Sequence, residues 1–172
     1  MELYTERGFE QTTVAEIAAR AGLTERTFFR HFTDKREVLF WGAGALQELF
    51  VSTVTSAPES ASPMNAIAAA LDAAAVVLQA RRDSARRRQK IIAANPDLQE
   101  RELNKLASLA AALTDSLHGR GVGDPAASLT AWAGIAVFKI AFEAWIEQTN
   151  EDDFSQVIRA SLNELKAVTG GS

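Results

Sequence analysis

Apolar side chains recur every three or four residues along most of the chain, and no stretch alternates with the period of two typical of a half-buried strand. Alanine and leucine are abundant in these stretches, and glycine, proline, serine and threonine mark their ends. The pattern therefore predicts an all-α protein.

Two short helices are predicted close to the N-terminus. Thr13, followed three residues later by Glu16, has the spacing of a capping box and predicts the start of one helix, which ends at Gly22. Thr24 is a suitable N-cap for the next helix, which ends at Phe32. The two helices are thus joined by a turn of only a few residues.

Further helices are predicted on both sides of this pair. The residues before Gly8 read as the end of a first helix, with the glycine as an αL terminus. Asp34 and Glu37 have capping-box spacing and predict one long fourth helix that runs through Phe50.

The stretch 56–63 is rich in Ser, Ala and Pro and predicts a loop before a second helical unit. The five helices predicted for that unit are 64–81, 84–94, 97–118, 125–148 and 153–168. We expect a unit of three helices in residues 1–43 and a larger helical unit in residues 44–172.

Residues 13–32 have the sizes that two helices crossing at a sharp angle require. Ala18 and Ala21 are small enough for a close approach, and Gly22 permits a positive φ at the turn. The small core between the helices is predicted to contain Ile17, Leu23 and Phe28.

Charge is unevenly distributed, although the formal net charge is −4. Residues 20–36 contain five cations and two acidic residues, and residues 81–90 contain six cations and one aspartate. Such local basic stretches matter more for polyanion binding than the average charge does.

In a helix-turn-helix the second helix lies in the major groove. Glu25, Arg26 and Arg30 project away from the apolar face of that helix, so we expect them to contact bases, with arginine pairing to guanine and glutamate accepting from a cytosine amine. Thr13, Thr27 and Lys35 are suited to phosphate contacts. The alternative is an ordinary helical hairpin with a solvated basic face.

Residues 8–39, GFEQTTVAEIAARAGLTERTFFRHFTDKREVL, resemble the actinobacterial-like signature of TetR-type transcriptional regulators. The resemblance implies a ligand-responsive repressor that binds a palindromic double-stranded operator. It implies that residues 1–43 form a DNA-binding helix-turn-helix domain and that residues 44–172 form a helical ligand-binding and dimerisation domain. It implies DNA contacts from Thr13, Thr24, Glu25, Arg26, Thr27, Phe29, Arg30, His31 and Lys35. Phe29 stands where the family usually has tyrosine, so the phosphate contact of that hydroxyl is absent.

Similar proteins form homodimers through their last two long helices. Here the last helix has one apolar stripe, and the helix before it is apolar on more than one side, which a monomer of this size has trouble covering. The expected interface residues are Trp145, Phe154, Val157, Ile158, Ser161 and Leu165. Burial inside one subunit would leave the same pattern.

The resemblance also implies a small-molecule inducer that releases DNA by a population shift. An apolar cavity between helices is expected to be lined by Leu71, Leu78, Ile92, Leu109, Trp132, Phe138 and Phe142, with plain core packing as the alternative. The basic run 81–90 suggests a mouth for the phosphates of an acyl-coenzyme A, and the alternative is a solvated helix face.

Other classes of function have little support. The chain has no cysteine, and its two histidines, His31 and His118, have no partner at catalytic or metal-site spacing. We expect no enzyme activity, no cofactor, no metal, no secretory signal and no membrane span, and hence a cytoplasmic protein. The rival hypothesis is a helical small-molecule sensor or interaction protein that has lost DNA binding.

Overall fold

A computed structural model of the protein describes residues 1–147 and 153–170, and within those ranges it contains ten helices and no strand. The helices are α1 (Glu2–Arg7), α2 (Val14–Arg20), α3 (Glu25–His31), α4 (Glu37–Phe40), α5 (Ala43–Ser56), α6 (Pro63–Gln79), α7 (Arg82–Ala93), α8 (Pro96–Gly119), α9 (Ala126–Glu147) and α10 (Phe154–Thr169). The all-α prediction is confirmed.

The helices after the loop begin and end close to their predicted positions. Each described boundary lies within two residues of the prediction, and Gln148 lies outside the described residues. Local caps explain this agreement. Ser62 accepts a hydrogen bond from the backbone N–H of Asn65 at the start of α6, and Asp153 accepts one from Ser155 at the start of α10.

The predicted long fourth helix is wrong in one respect, because turn residues Trp41 and Gly42 separate α4 from α5. The Asp34–Glu37 capping box is also only half formed. The Asp34 carboxylate accepts a hydrogen bond from the Glu37 N–H at 3.2 Å, but the Glu37 carboxylate pairs with Arg101 of α8 instead of returning to Asp34.

The larger of two apolar cores lies where α6 packs against α5, α9 and α10 and where α8 packs against α9. Buried alanines on α6 and Gly134 on α9 allow these two helices to approach closely. A Cβ at position 134 would overlap the Cγ2 methyl of Ile67. Position 134 therefore requires glycine for packing rather than for backbone conformation.

The smaller core joins the N-terminal helices to the rest of the molecule. Tyr4, Leu39 and Phe40 pack there against Ile92 of α7 and Leu98 of α8. Arg88 of α7 reinforces the junction, because its Nε donates to the Leu39 carbonyl at 2.8 Å and its guanidinium lies 4.9 Å from the Phe40 ring centre. The N-terminal unit thus depends on residues from α7 and α8 to complete its core.

Among the described residues, two helical stretches have the length and composition of a membrane span: Glu37–Ser56, which includes the turn between α4 and α5, and α9. The bent pair of α6 and α7, which meet at 97°, would qualify as one further span. In the structure these segments belong to one helical bundle, in which α9 contacts α6, α8 and α10. Packing within this bundle accounts for the apolar inner face of α9.

Candidate nucleic-acid interface

Two caps and one glycine position the candidate recognition helix α3. The Thr13 hydroxyl and the Glu16 side chain form the predicted reciprocal capping box at the start of α2. Thr24 accepts a hydrogen bond from the Thr27 N–H at 3.2 Å and so fixes the start of α3. Gly22 has φ of +68°, which confirms the predicted positive φ at the turn.

The hydrogen bonds of the α2 cap also change the pKa of Glu16. The Thr13 backbone N–H and hydroxyl both contact the Glu16 carboxylate, and they hold the pKa of Glu16 below its ordinary value. Arg7 forms an ion pair with the same carboxylate. The start of α2 is therefore stabilised in the ionised state of Glu16.

The core beneath the helix pair is smaller than predicted. Phe28 and Ala18 are each only 1% exposed, and the Phe28 ring packs 5.0 Å from that of Phe32. Leu23, however, is 42% exposed, and Ala21 is also exposed. The prediction that Leu23 fills this core is therefore wrong, because the turn directs it to the surface.

The outward edge of α3 is open to solvent, and we call Glu25, Arg26 and Arg30 the recognition edge. All three are exposed and form no ion pair among the described residues. The other DNA-contact candidates on α2 and α3 are placed around this edge. Thr13, Thr24, Phe29 and His31 are exposed, and Thr27 is partly buried.

Neighbouring cations in the N-terminal helices are neutralised. Arg20 pairs with Glu2 at 3.1 Å and with Glu6 at 3.3 Å, and Arg36 pairs with Asp34 at 2.8 Å. The unpaired positive charge of this region is thereby concentrated on the recognition edge, where an arginine can bind a phosphate or a guanine without breaking an existing contact.

Lys35 occupies a different environment from the one expected of a phosphate ligand. Its Nζ donates to the carbonyls of Phe9, Glu10 and Thr12 at 2.9, 3.1 and 3.1 Å, and it lies 4.5 Å from the centre of the Phe9 ring. An ammonium group has three donors, so these carbonyls use all of them. Lys35 therefore holds the α1–α2 loop against the segment that follows α3.

Tyr4 closes the same cluster from α1. Its hydroxyl donates to the Lys35 carbonyl at 2.5 Å, and burial raises the pKa of Tyr4 well above its ordinary value. The tyrosine is therefore a neutral hydrogen-bond donor at every physiological pH. Tyr4 and Lys35 together fix α1 to the segment between α3 and α4.

The predicted ligand-lining residues do not form one cavity. Leu71, Leu109 and Phe138 are buried in the larger core, with Leu78 and Phe142 partly buried against it. Ile92 belongs instead to the smaller core, and Trp132 is 53% exposed on the outer side of α9. The prediction that Ile92 and Trp132 line the same cavity as the other five residues is therefore wrong. Helical period alone does not distinguish one apolar neighbourhood from another.

A surface cleft of about 530 Å³ lies between α5 and α8, where sequence reasoning placed nothing. Its lining residues are Gln47, Val51, Thr55, Ala112, Asp115, Ser116, Gly119 and Arg120. The Arg120 guanidinium is held by the carbonyls of Ala57 and Pro58 at the end of α5, at 2.6 and 2.8 Å. No periodicity signal marks this cleft, since it combines polar and apolar residues from helices distant in sequence.

The predicted dimer residues are mostly internal. Trp145, Phe154 and Ile158 are fully buried inside the subunit, where the Trp145 and Phe154 rings stack at 4.5 Å. Val157, Ser161 and Leu165 are partly buried. The assignment of the first three to a dimer interface is therefore wrong, because the inner stripe of α10 packs on its own bundle.

A second apolar stripe runs along the opposite side of α9, and we call it the outer stripe. Leu129, Trp132, Ala136 and Ile140 are exposed there at helical spacing, opposite the buried face that contains Ala131 and Phe138. The all-round apolar character of α9 was the sequence signal for this surface. That signal does not indicate which of the two faces remains open.

The basic run 81–90 is not an open mouth. Arg82 donates to the Trp145 carbonyl and Arg86 to the Ile146 carbonyl, each at 2.7 Å, at the C-terminal end of α9. Arg88 binds the Leu39 carbonyl and also pairs with Glu102 at 2.9 Å. Three of the six cations thus cap carbonyls or join helices, an arrangement that helix C-termini favour.

The described part of the chain contains no group of three or more His, Cys, Asp or Glu side chains that could hold a metal ion. His118 lies 3.3 Å from Asp124 in an exposed pair near the end of α8. The hydrogen bonds from Ser128 and His118 hold the pKa of Asp124 below its ordinary value. This pair joins the end of α8 to the α8–α9 connection, and the Ser128 hydroxyl, which donates to Asp124 at 2.9 Å, joins that connection to the start of α9.

Two family models match the chain. Residues 1–40 match the model of bacterial regulatory proteins of the tetR family, and residues 61–170 match the MftR C-terminal domain of TetR-type proteins. Among curated proteins, the HTH-type transcriptional regulator TcmR of Streptomyces glaucescens is 37% identical over 73 residues. That alignment covers 42% of this chain and 32% of the length of TcmR.

Matches to solved structures with the same fold cover nearly the whole chain. FadR of Thermus thermophilus, a TetR family transcriptional repressor solved in complex with lauroyl-CoA, has a TM-score of 0.59 and 23% identity, and the match covers 96% of this chain and 88% of FadR. PfmR, a TetR family transcriptional regulator also from Thermus thermophilus, has a TM-score of 0.52 and 23% identity, with 94% and 91% covered. A transcriptional regulator from Rhodococcus sp. Rha1 has a TM-score of 0.55 and 21% identity, with 97% and 91% covered.

Proposed function

The chain belongs to the TetR family of bacterial transcriptional regulators, and from that membership we propose that it is a ligand-responsive repressor that binds a palindromic DNA operator as a homodimer. The observation that supports DNA binding most directly is the recognition edge. Arg26 and Arg30 are exposed on α3, whose start is fixed by the Thr24 cap and the Gly22 turn. They have no ion-pair partner among the described residues. In this role the protein acts on cytoplasmic DNA and needs neither a catalytic group nor a cofactor.

On this proposal α3 lies in the major groove. Glu25, Arg26 and Arg30 contact base edges, while Thr27 and the capped starts of α2 and α3 contact phosphates. The unpaired state of the arginines supports this assignment, because no intramolecular contact has to be broken when DNA binds. The Thr13 side chain is left out of the contact set, because its N–H and hydroxyl already donate to the Glu16 carboxylate. Lys35 is left out of the contact set, since its three donors already bind carbonyls.

A gel-shift titration at several salt concentrations tests DNA binding. We expect the double variant Arg26→Ala/Arg30→Ala to lose at least about tenfold in affinity, because base contacts are removed, and to have a shallower salt dependence, because two positive charges per subunit are lost next to the DNA backbone. The matched control Arg81→Ala/Lys105→Ala removes the same charge from exposed positions outside the N-terminal helices, one in the turn before α7 and one on α8, and should bind as the parent does. If the Arg26/Arg30 variant binds DNA with the same affinity as the parent protein, the rival hypothesis is favoured, in which the protein is a small-molecule sensor that has lost specific DNA binding.

For the homodimer we assign the interface to the outer stripe of α9 rather than to the buried residues predicted at first. Leu129, Trp132 and Ile140 present large apolar side chains to solvent on one helix face. A second copy of the same stripe, related by a twofold axis, would cover them in a self-complementary contact. Two subunits joined in this way could present two recognition helices to one duplex.

For the effector, the cleft between α5 and α8 is a better candidate than the predicted aromatic set. Its volume of about 530 Å³ lies within the range of small-molecule sites, roughly 300–1,000 Å³. FadR supplies one ligand class to test, although three arginines of the run 81–90 already bind groups of this protein. Titration with lauroyl-CoA and with free laurate should show whether a thioester, an acyl chain or neither binds; binding of neither excludes this class.

A further inference from the structure

Phe29 is an exposed aromatic side chain on the recognition helix itself. Its ring is 54% exposed, and it follows Arg26 by three positions, a spacing that makes the two side chains neighbours on the surface of α3. Phe28, the preceding residue, is buried and forms the core beneath the helix. The two adjacent phenylalanines therefore have different environments, and only Phe28 is explained by folding.

The Phe29 ring is oriented by its neighbour. It lies 5.5 Å from the Phe28 ring in an edge-to-face arrangement at 89°, and Phe28 is itself packed 5.0 Å from Phe32. Such pairs favour one ring orientation. The exposed ring is thus held in place before any partner binds, which reduces the conformational entropy lost on contact.

The chemistry of this side chain limits what it can recognise. A phenyl ring has no hydrogen-bond donor or acceptor, so it can bind neither a phosphate oxygen nor the polar edge of a base. The major-groove edges of the four base pairs offer one methyl group, the C5-methyl of thymine. An exposed apolar residue beside the base-reading Arg26 is therefore complementary to a thymine.

We propose that Phe29 makes the operator specific for thymine by packing its ring on the C5-methyl group at one position in each half-site. This inference rests on the proposed function, because it requires α3 to lie in the major groove. It adds a base preference that the charged residues of the recognition edge do not supply.

The test uses the DNA site selected by the full-length protein from a random pool. Each thymine is replaced in turn by deoxyuridine, which removes only the methyl group and leaves base pairing unchanged. For the wild type we expect one symmetry-related pair of thymines at which the replacement weakens binding by about fourfold per half-site, the effect of one buried methyl group.

Variants of Phe29 assign the effect to this side chain. Phe29→Ala should bind the thymine and deoxyuridine sites equally, and Phe29→Leu, which keeps part of the apolar contact, should give an intermediate ratio. The control Trp41→Ala removes another exposed aromatic residue, which lies in the turn between α4 and α5 and is 67% exposed, and should keep the wild-type ratio.

The results that would contradict the thymine contact differ from those that would contradict the proposed regulator function. If the wild type binds a selected site but no thymine in it responds to deoxyuridine, or if both Phe29 variants keep the wild-type ratio, the thymine contact is wrong while the regulator function stands. If no DNA sequence is enriched and binding does not depend on salt, the proposed function itself is wrong and the thymine contact is wrong with it.

Discussion

Replacing Lys35 by alanine should destabilise the N-terminal helices rather than remove a DNA contact. The substitution deletes an ammonium that donates to the carbonyls of Phe9, Glu10 and Thr12 and lies against the Phe9 ring. A hydrogen bond to a charged group contributes about 1.5–3 kcal/mol. Since the site is partly exposed and water can rebind the carbonyls, we expect a total loss of about 2–4 kcal/mol in the free energy of unfolding.

Chemical denaturation followed by circular dichroism measures this loss. Lys35→Met retains an apolar stem near Phe9 and should recover part of the stability, but not the hydrogen bonds. Lys90→Ala is the matched control, because Lys90 is an exposed lysine on α7. It should change the free energy of unfolding by less than about 0.5 kcal/mol.

DNA-binding measurements on the same Lys35 variant distinguish a structural role of this lysine from a phosphate contact. If the ammonium holds the fold, the slope of log affinity against log salt should match the wild type under conditions where the variant is folded. Loss of a phosphate contact would lower the magnitude of that slope by about 0.9 per subunit. A variant with wild-type stability and a shallower slope would refute the structural role inferred from the three carbonyls.

Three further variants test the packing, the cap and the interface. Gly134→Ala should destabilise the bundle by about 1–3 kcal/mol, seen as a lower midpoint of denaturation, because the added methyl overlaps α6. Thr13→Ala should lower stability by about 1 kcal/mol and raise the pKa of the α2 glutamate, measured by NMR titration. Trp132→Glu/Ile140→Glu should sediment as a folded monomer, whereas the control Val76→Glu, at an exposed site on α6, should remain dimeric.

Each of these results has a clear opposite. Unchanged stability of the Gly134 variant would mean that α6 and α9 do not approach as closely as the structure has them. Unchanged glutamate titration in the Thr13 variant would contradict the capping box. A dimer that survives both charged substitutions in the outer stripe would place the interface elsewhere.

The helix boundaries were predictable because their signals are local. Thr13 with Glu16, Thr24 and Gly22 each determine backbone geometry within a few residues, and the structure has all three as expected. The turn at Trp41 and Gly42 was missed because the apolar period continues through it. A single glycine within a helical pattern does not by itself show where the helix axis breaks.

The surfaces were less predictable, because periodicity shows that a face is covered but not what covers it. The apolar spacing that includes Trp145 and Phe154 is the same whether these residues pack on their own bundle or on a second subunit. In the structure both are buried inside their own subunit. Lys35 and the arginines of α7 were expected to bind anions, since a sequence displays their charge but not the backbone carbonyls that face them. The cleft between α5 and α8 depends on helix packing and has no local signal.

Selection of bound DNA from a random pool tests most directly whether the exposed edge of α3 reads a duplex in a twofold arrangement. The account predicts enrichment of a palindrome whose half-sites are separated by about one helical turn, 10–10.5 base pairs, or a multiple of it. It also predicts that the Arg26→Ala/Arg30→Ala variant loses this enrichment. A pool that stays random with the wild type, or that enriches an asymmetric site independent of these arginines, would contradict it.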